Sequence, residues 1–457
     1  MTTEAASQRV IIAGGSISGL TLALALQSAG IDFLVLERRE IAPQLGASTG
    51  IHPFGHNILH QLGVHQHIAK LGIPLVAGRS YDDYGNFIEK DISILSKHTT
   101  RYGFPVIFIQ RYELIQTIYD MIKDKSKILT NKKVVQYEDD GTKVVVKTED
   151  GASYEGTILV GADGIHSTVR KLMRQAADNK KRGSGASLET SDGGKPGFST
   201  KYKCLFGISR TNDTVCTMPP GYTYWSYGNN YSTTVTYGEP GLIFWFLWTP
   251  IDKVQSINSP RYTEKDAEDL VEEFRNKKMC GEFSIGDAWD ARVRANLFAQ
   301  EEGILDQWSY GRAVLIGDAI HKMSANAGLG AMTAFEGIVH LVDHLRPALS
   351  PEPGQTKSTP TEEECNQIFA AYKRDHMPRA KMLVDTSKYC IRFEARANWF
   401  YSLLATYIMP MFSNIGRQFL ADRLFTGSPT FSHLPVDMTK PINCTNSSLK
   451  SRAPRVK

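Results

Sequence analysis

One stretch limits what this chain can fold into more than any other. It reads Arg9-Val-Ile-Ile-Ala-Gly-Gly-Ser-Ile-Ser-Gly-Leu20 and continues into an Ala- and Leu-rich segment. Val10 to Ala13 reads as a short buried strand, Gly14 to Gly19 as a tight glycine-rich turn, and Ile17 to Ala29 as a helix stopped by Gly30. A second apolar run, Phe33-Leu-Val-Leu36, ends on Glu37, 18 residues after Gly19. Strand, turn, helix and strand, with an acid at the tip of the second strand, is the layout of a dinucleotide site. Backbone N–H groups and the dipole at the helix start attract a pyrophosphate, and the Glu37 carboxylate accepts hydrogen bonds from ribose hydroxyls. Gly14, Gly15, Ser16, Gly19, Glu37 and the adjacent Arg38 are the candidate binding residues. Ser16 stands where the pattern wants glycine, a tolerable change because serine is small and hydrogen-bonding. The competing reading is an ordinary βαβ unit with a glycine-rich turn.

Length and composition bound the rest. A chain of 457 residues holds two or three domains or one large composite, and 42% hydrophobic with 22% charged residues suits a globular protein. A net charge of +4 is too small to argue for nucleic acid, and no arginine stripe is interleaved with aromatics. Asn179-Lys-Lys-Arg182 and the tail Lys450–Lys457 read as solvated loop and tail. The six cysteines contain no C-x-x-C and no metal-ligand spacing, which fits a reducing compartment. The polar Met1–Gln8 predicts no signal peptide, so the chain is expected in the cytoplasm.

After Glu37 comes a loop with turn points at Pro43, Gly46 and Gly50, then a helix from about Phe54 to Leu62. Val76 to Ser96 reads as strands around Tyr84-Gly-Asn86. Arg111 opens an amphipathic helix, where a cation is disfavoured by the dipole unless an anion lies beside it; a surface arginine is the alternative. Strand Gly156–Val160 runs into Gly161-Ala-Asp163-Gly164 and a helix, a second phosphate-type turn in which Asp163 can cap the helix. Ala176 to Thr200 reads as a mobile insertion. An aromatic β-meander follows: Tyr222–Tyr227, Tyr231–Tyr237 and Leu242–Trp248. Most of its rings are explained by core packing, and the surplus suits an apolar, ring-shaped substrate. Asp266 to Lys277 is a helix, with a strand-like return from Trp289 to Phe298. A third site then appears: Ala313-Val-Leu-Ile delivers Gly317-Asp318, and Ala325-Asn-Ala-Gly328-Leu-Gly330 opens a helix. Asp318 is placed for a ribityl hydroxyl, and the helix start stabilises negative charge on a flavin ring edge. His52, His56, His60, His65 and His67 give no clean ligand set and read as a surface helix and loop; no metal is expected. Residues 362 to 425 read as helices. Within them Trp399–Phe412 is strongly apolar but too short to span a bilayer. It reads as a buried helix, with contact to a membrane surface as the alternative.

These three turns, in this order, resemble the FAD-dependent monooxygenases of the aromatic-hydroxylase fold over nearly the whole chain. A narrower likeness, at Ile41–Ser48, Tyr202–Ser209, Glu301–Gly303, Trp308–Arg312 and Phe425–Pro435, is to the fungal paxilline-type enzymes. The resemblance implies an α/β fold. A Rossmann-like FAD-binding domain of the glutathione-reductase type (1–75, 101–175, 285–346) is interleaved with a β-sheet substrate domain (76–100, 176–284), and a C-terminal helical region covers 362–457. It implies FAD contacts at Glu37, Gly50, Arg111, Asp318 and Ala331, beside Asp163, Gly317, Gly328 and Gly330, and a meander tyrosine near the substrate. Tyr227 is the choice and Tyr224 the alternate. The chain departs from the family at Ala325, where proline is usual, and at Met332, where asparagine is usual.

The implied function is meroterpenoid or indole-diterpene biosynthesis. NADPH would reduce FAD, a flavin C4a-hydroperoxide would form from O2, and oxygen would pass to a prenylated or aromatic apolar substrate in a dry pocket. The departures at Ala325 and Met332 motivate a second reading: a flavoprotein oxidase or dehydrogenase, or an isomerase or cyclase that retains FAD without inserting oxygen. A non-catalytic FAD-binding scaffold is a third, against which Glu37, Arg111 and Asp318 argue.

Overall fold

The computed structural model describes residues 8–44, 48–90, 92–183, 197–210, 218–239, 241–255, 259–350 and 358–436. Its organising layer is a six-stranded sheet. Val10–Ala13 lies between parallel neighbours Phe33–Leu36 and Ile158–Gly161. Ile128–Leu129 continues the sheet beyond Phe33–Leu36, while Ala313–Leu315 and the antiparallel edge Ser309–Tyr310 extend the other side. The first three strands are buried at every position, as parallel strands covered on both faces must be. Helices Ile17–Ser28 and Gly330–Leu349 pack together on this sheet. The parallel order brings the C-terminal ends of Val10–Ala13, Ile158–Gly161 and Ala313–Leu315 side by side. Each of those ends carries one of the three turns.

The second layer is an eight-stranded sheet in the order His321–Lys322, Arg292–Ile304, Ser199–Arg210, Leu242–Gln255, Ser232–Glu239, Tyr222–Tyr227, Ala77–Asp82, Phe87–Glu89. Its two faces are both packed. Leu205, Val235, Ile243, Trp245 and Leu247 form a core with helices Glu264–Phe274 and Ile285–Asp290. Tyr202, Cys204, Phe206, Phe244, Phe246 and Trp248 pack against Ile391 and Ala395 at the end of the long helix Glu362–Glu394. The aromatic surplus is therefore shared between two cores rather than gathered on one face.

Several sequence expectations change. Ile94–Tyr102 is a helix, so the strands begun at Ala77 stop at Glu89. Trp289 ends helix Ile285–Asp290, fixed by a capping box in which Ser284 and Asp287 satisfy each other's backbone N–H groups. Gly50 is not a turn: Ser48–Ile51 is a strand paired with Ile107–Gln110. Gly46 lies outside the described residues. Helix Thr168–Gly183 takes up the start of the expected insertion and the basic run Asn179–Arg182, while residues 184–196 lie outside the described residues. The C-terminal helices end at Phe425; Ser428 and Phe431 of the following segment are buried, and residues 437–457 lie outside the described residues. Of the histidine-rich stretch only His67 is fully at the surface. His56 is fully buried, Nδ1 to Nδ1 with His65 at 3.0 Å and stacked on Phe104, and burial holds His52 down at about 4.

The largest change concerns Trp399–Phe412. This segment is not a buried helix. Trp399 is 79% exposed, Tyr407 66%, Met411 77%, and the exposed apolar series continues through Ile415 and Phe419. An apolar helical stripe reads the same in sequence whether or not a second layer covers it. Farther along the helix, Gln418 bonds Tyr102 and Asp422 bonds Arg101 of helix Ile94–Tyr102, beside the buried Ala421, Leu424 and Phe425. No described helix is long and apolar enough to cross a membrane.

Candidate active site

The three turns converge on the start of helix Ile17–Ser28. Gly14 has φ +110°, and a Cβ there would lie 2.6 Å from the carbonyl oxygen of Ala162 in the second turn. A Cβ on Gly19 would lie 1.8 Å from the Gly14 carbonyl oxygen, so the helix can leave the turn only through glycine. Gly317 has φ +59°, and a Cβ there would lie 2.6 Å from Ser18 Oγ. Arg170 reaches from the second turn to donate to Ala319 O in the third (2.8 Å).

Within this convergence the candidate residues divide by partner. Ser16 precedes the helix without capping it, and no acid sits in the first turn. The leading N–H groups of the helix are thus left to a ligand. The Ser16 hydroxyl instead accepts from Arg111 Nη2 (2.9 Å). The residue that departed from glycine is the one that ties Arg111 to the turn. Glu37 accepts from Gly15 N (2.6 Å) and Arg39 N (2.9 Å), which leaves carboxylate lone pairs for ribose hydroxyls. Arg38 is exposed beside it. Asp163 caps the second-turn helix through Oδ2 (Thr168 N 2.6 Å, Val169 N 3.1 Å), while its Oδ1 is buried without a partner among the described residues. Gly50 lies across from Phe108, whose ring a Cβ there would meet at 3.1 Å.

In the third turn Asp318 accepts from Lys322 Nζ at 2.5 Å. Burial alone would raise this carboxyl, but Lys322, His321 and Arg111 outweigh it and hold it below the usual carboxylate range. Asp318, Lys322 and Arg111 lie deep in the fold yet keep part of their surface accessible, so they line an internal cleft. Gly328 has φ +64°, and a Cβ there would lie 3.1 Å from His52 Nε2, which also bonds Ala327 O at 3.0 Å. Gly330 and the half-buried Ala331 start the next helix, uncapped and without an acid in its first turn. Ala325 N donates to Gln300 Oε1 (2.9 Å), a bond proline cannot make, and Met332 is fully buried where a Cβ on Gly55 would meet its sulfur.

Tyr224 and Tyr227 separate by strand alternation. Tyr224 packs edge-on against Tyr81 in the core on the Glu264–Phe274 side. Tyr227 faces the long helix, with its ring against Phe393 and its hydroxyl accepting from Arg417 Nη2 (3.2 Å). Sequence reasoning missed Lys322, His52, Gln300, Arg417 and Glu394. Lys322 was legible as the next residue after the third turn; the others reach the site only through tertiary packing.

The family model described as an FAD binding domain matches residues 7–375. FAD-dependent monooxygenase olcE of Penicillium canescens is 35% identical over 94% of this chain and 90% of its own length. The chain belongs to the FAD-dependent monooxygenases. FAD-dependent monooxygenase andE of Emericella variicolor is 36% identical over 90% of this chain and 85% of its own length. Klebsiella pneumoniae HpxO, solved with FAD and uric acid, matches with a TM-score of 0.71 at 20% identity, covering 91% of this chain and 96% of that one, which shows the fold. FAD is the cofactor of this family. The residues fit it: uncapped N–H groups at two helix starts, an orphaned Asp163 oxygen and a carboxylate held ionised at Asp318.

Proposed function

We propose that this monooxygenase takes reducing equivalents from NADPH and delivers one oxygen of O2 to an alkene or aromatic ring of a prenylated, largely apolar substrate in secondary-metabolite biosynthesis of the meroterpenoid or indole-diterpene kind. One observation carries this reading. Helix Glu362–Glu394 packs its end on the aromatic sheet face at Ile391 and Ala395, and bonds the third-turn loop through Ser387 Oγ to Ser324 O (2.9 Å) and through Glu394. The cofactor loop and the apolar sheet face are thus held by one helix. Bound FAD supplies the electron transfer and oxygen activation. In this reading Gly14, Gly15, Ser16, Gly19 and Glu37 bind its phosphates and ribose, with Arg38 at the edge. Arg111, Asp163, Gly317 and Asp318 hold its middle, and Gly50, Gly328, Gly330 and Ala331 lie along its ring. The Tyr227 phenol, pushed up to about 12 by burial, stays protonated and orients substrate by its ring and hydroxyl. Flavin absorbance followed anaerobically with NADPH tests this: reduction accelerated by a prenylated phenol supports it, and reduction indifferent to every such phenol counts against it.

The non-oxygenating reading rests on Ala325 and Met332. Met332 fills core space against Gly55 and Ala325 supports backbone, so neither substitution favours it.

The exposed apolar helix supports one further part of the proposal, contact with a membrane surface through 399–412. Ala397 to Gly416 contains no charged residue, and the run carries Trp399, Tyr401 and Tyr407. Co-sedimentation with phosphatidylcholine vesicles, lost on Trp399→Ser with Met411→Ser, is expected; equal sedimentation of both forms contradicts it.

A further inference from the structure

On the sheet side of the cleft, separate elements bring Glu89, Tyr227, Glu394 and Arg417 together. Arg417 donates from Nη2 to Glu89 Oε2 (2.7 Å) and Tyr227 Oη (3.2 Å), and its guanidinium sits 5.3 Å from the Trp225 ring centroid. Ser80 Oγ donates to the same Glu89 oxygen (2.9 Å). These bonds use one nitrogen of a group with five N–H donors. Among the described residues Nη1 meets no acceptor, and Nε is buried without a partner. Such donors on a buried cation cost free energy until something accepts from them.

Glu394 stands next to this group and reaches the cofactor loop, where its Oε2 accepts from Asn326 Nδ2 (3.2 Å). Arg417 and Glu394 both lie deep in the fold and both keep accessible surface, so they adjoin open space beside the third-turn loop rather than a sealed core. Burial pushes the Glu394 carboxyl up to about 7, against the Asn326 hydrogen bond and the Arg417 charge, so near neutral pH much of it is the acid form, a donor. Glu89 already balances the Arg417 charge. An added carboxylate would be an uncompensated buried charge, whereas a neutral acceptor completes the hydrogen bonding without one.

We propose that Arg417 and Glu394 form the polar end of the substrate site and hold the carbonyl oxygen of a ketone or ester carried by an otherwise apolar molecule. This rests on the reading of the cleft as an apolar substrate site. The probes are methyl 3-geranyl-4-hydroxybenzoate, its free acid, and 2-geranylphenol, which lacks the carbonyl, each titrated into the FAD-loaded enzyme and followed by flavin absorbance. The ester is expected to bind about tenfold or more tightly than 2-geranylphenol, the effect of a hydrogen bond to a charged donor, and more tightly than the acid. Arg417→Met combined with Glu89→Gln, which leaves no unpaired charge, brings ester and phenol to within about twofold of each other. Glu394→Gln, near-isosteric and able to keep the Asn326 bond, lowers the ester preference a few-fold. Retained flavin shows that each variant is folded. Equal binding of ester and phenol in the wild type, tighter binding of the acid, or a preference that survives both variants overturns the anchor while leaving the apolar site standing. Binding of none of the probes overturns the apolar-site reading with it.

Discussion

Two arginines of the C-terminal helices each face a buried carboxylate, and they differ in what their remaining donors do. Arg379 grips both oxygens of Glu336 from Nε (2.7 and 2.8 Å) and spends Nη1 on Thr426 O (2.9 Å) and Nη2 on Leu424 O (2.7 Å). It clamps the end of the terminal helix onto helix Gly330–Leu349. Arg417 holds its carboxylate with one nitrogen, and among the described residues its others meet no acceptor. An arginine with every nitrogen bonded within the chain is a structural joint, whereas one with a buried nitrogen left over, beside accessible space, is available to a ligand.

The sharpest break between the two is Arg379→Met. It leaves Glu336, whose side chain is fully buried, without its cation, and should cost about 3–5 kcal/mol in urea unfolding. The ester-over-phenol preference of the folded fraction should be unaltered. A ligand effect without a stability effect would place Arg379, too, in the site.

Gly19→Ala probes the cofactor side of the same cleft. The new Cβ must displace the Gly14 carbonyl, and forced shifts of this kind cost about 1–3 kcal/mol. FAD affinity, read from flavin retained on dilution, should fall about tenfold to a hundredfold. Unchanged retention would mean the turn does not carry the phosphates.

Asp422→Asn tests the outer joint between the terminal helix and helix Ile94–Tyr102. Burial would raise Asp422, but hydrogen bonds from Arg101, Tyr102 and Gln418 outweigh it and hold the folded carboxyl below its ordinary value. Its stabilisation is therefore present above about pH 4 and lost as pH falls through the folded value. With Arg101 44% exposed, the substitution should cost only about 1 kcal/mol at neutral pH and flatten the acid limb of stability against pH. An unchanged acid limb would show that the joint does not titrate.

Ala325→Pro should have the smallest effect. It introduces the proline that the sequence resemblance implies at this position and removes only the N–H bonded to Gln300, worth about 1 kcal/mol. The flavin spectrum should be preserved. A lost or strongly shifted spectrum would make Ala325 a functional departure after all.

Much of the geometry of the three turns was legible because it is local. Val10–Ala13, the glycines and Glu37 lie within 28 residues, and each following turn repeats strand, glycine and acid. Ser16 looked like a weakness in the pattern and proved to be the partner of Arg111, which no local rule reveals. Gly50 misled because glycine is read as a turn signal, whereas here it makes room for the Phe108 ring in a strand pair. The capping box Ser284-Ile-Gly-Asp287 was readable but was overlooked inside a stretch dominated by strands. Period-two alternation separates Tyr224 from Tyr227, yet only the sheet's neighbours say which face meets the long helix. The Arg417 group was out of reach, since Glu89, Tyr227, Glu394 and Arg417 come from widely separated segments. The Trp399–Phe412 stripe was recognised but assigned to the wrong environment, because amphipathic spacing fixes a face and not what covers it.

The central claim is that the FAD turns and the aromatic sheet face work as one oxygen-inserting site. The most direct test is the mass of the product formed by the FAD-loaded enzyme with NADPH and a geranylated phenol under 18O2. The account predicts product carrying one oxygen-18 atom; product without label, with O2 consumed only to hydrogen peroxide, would contradict it.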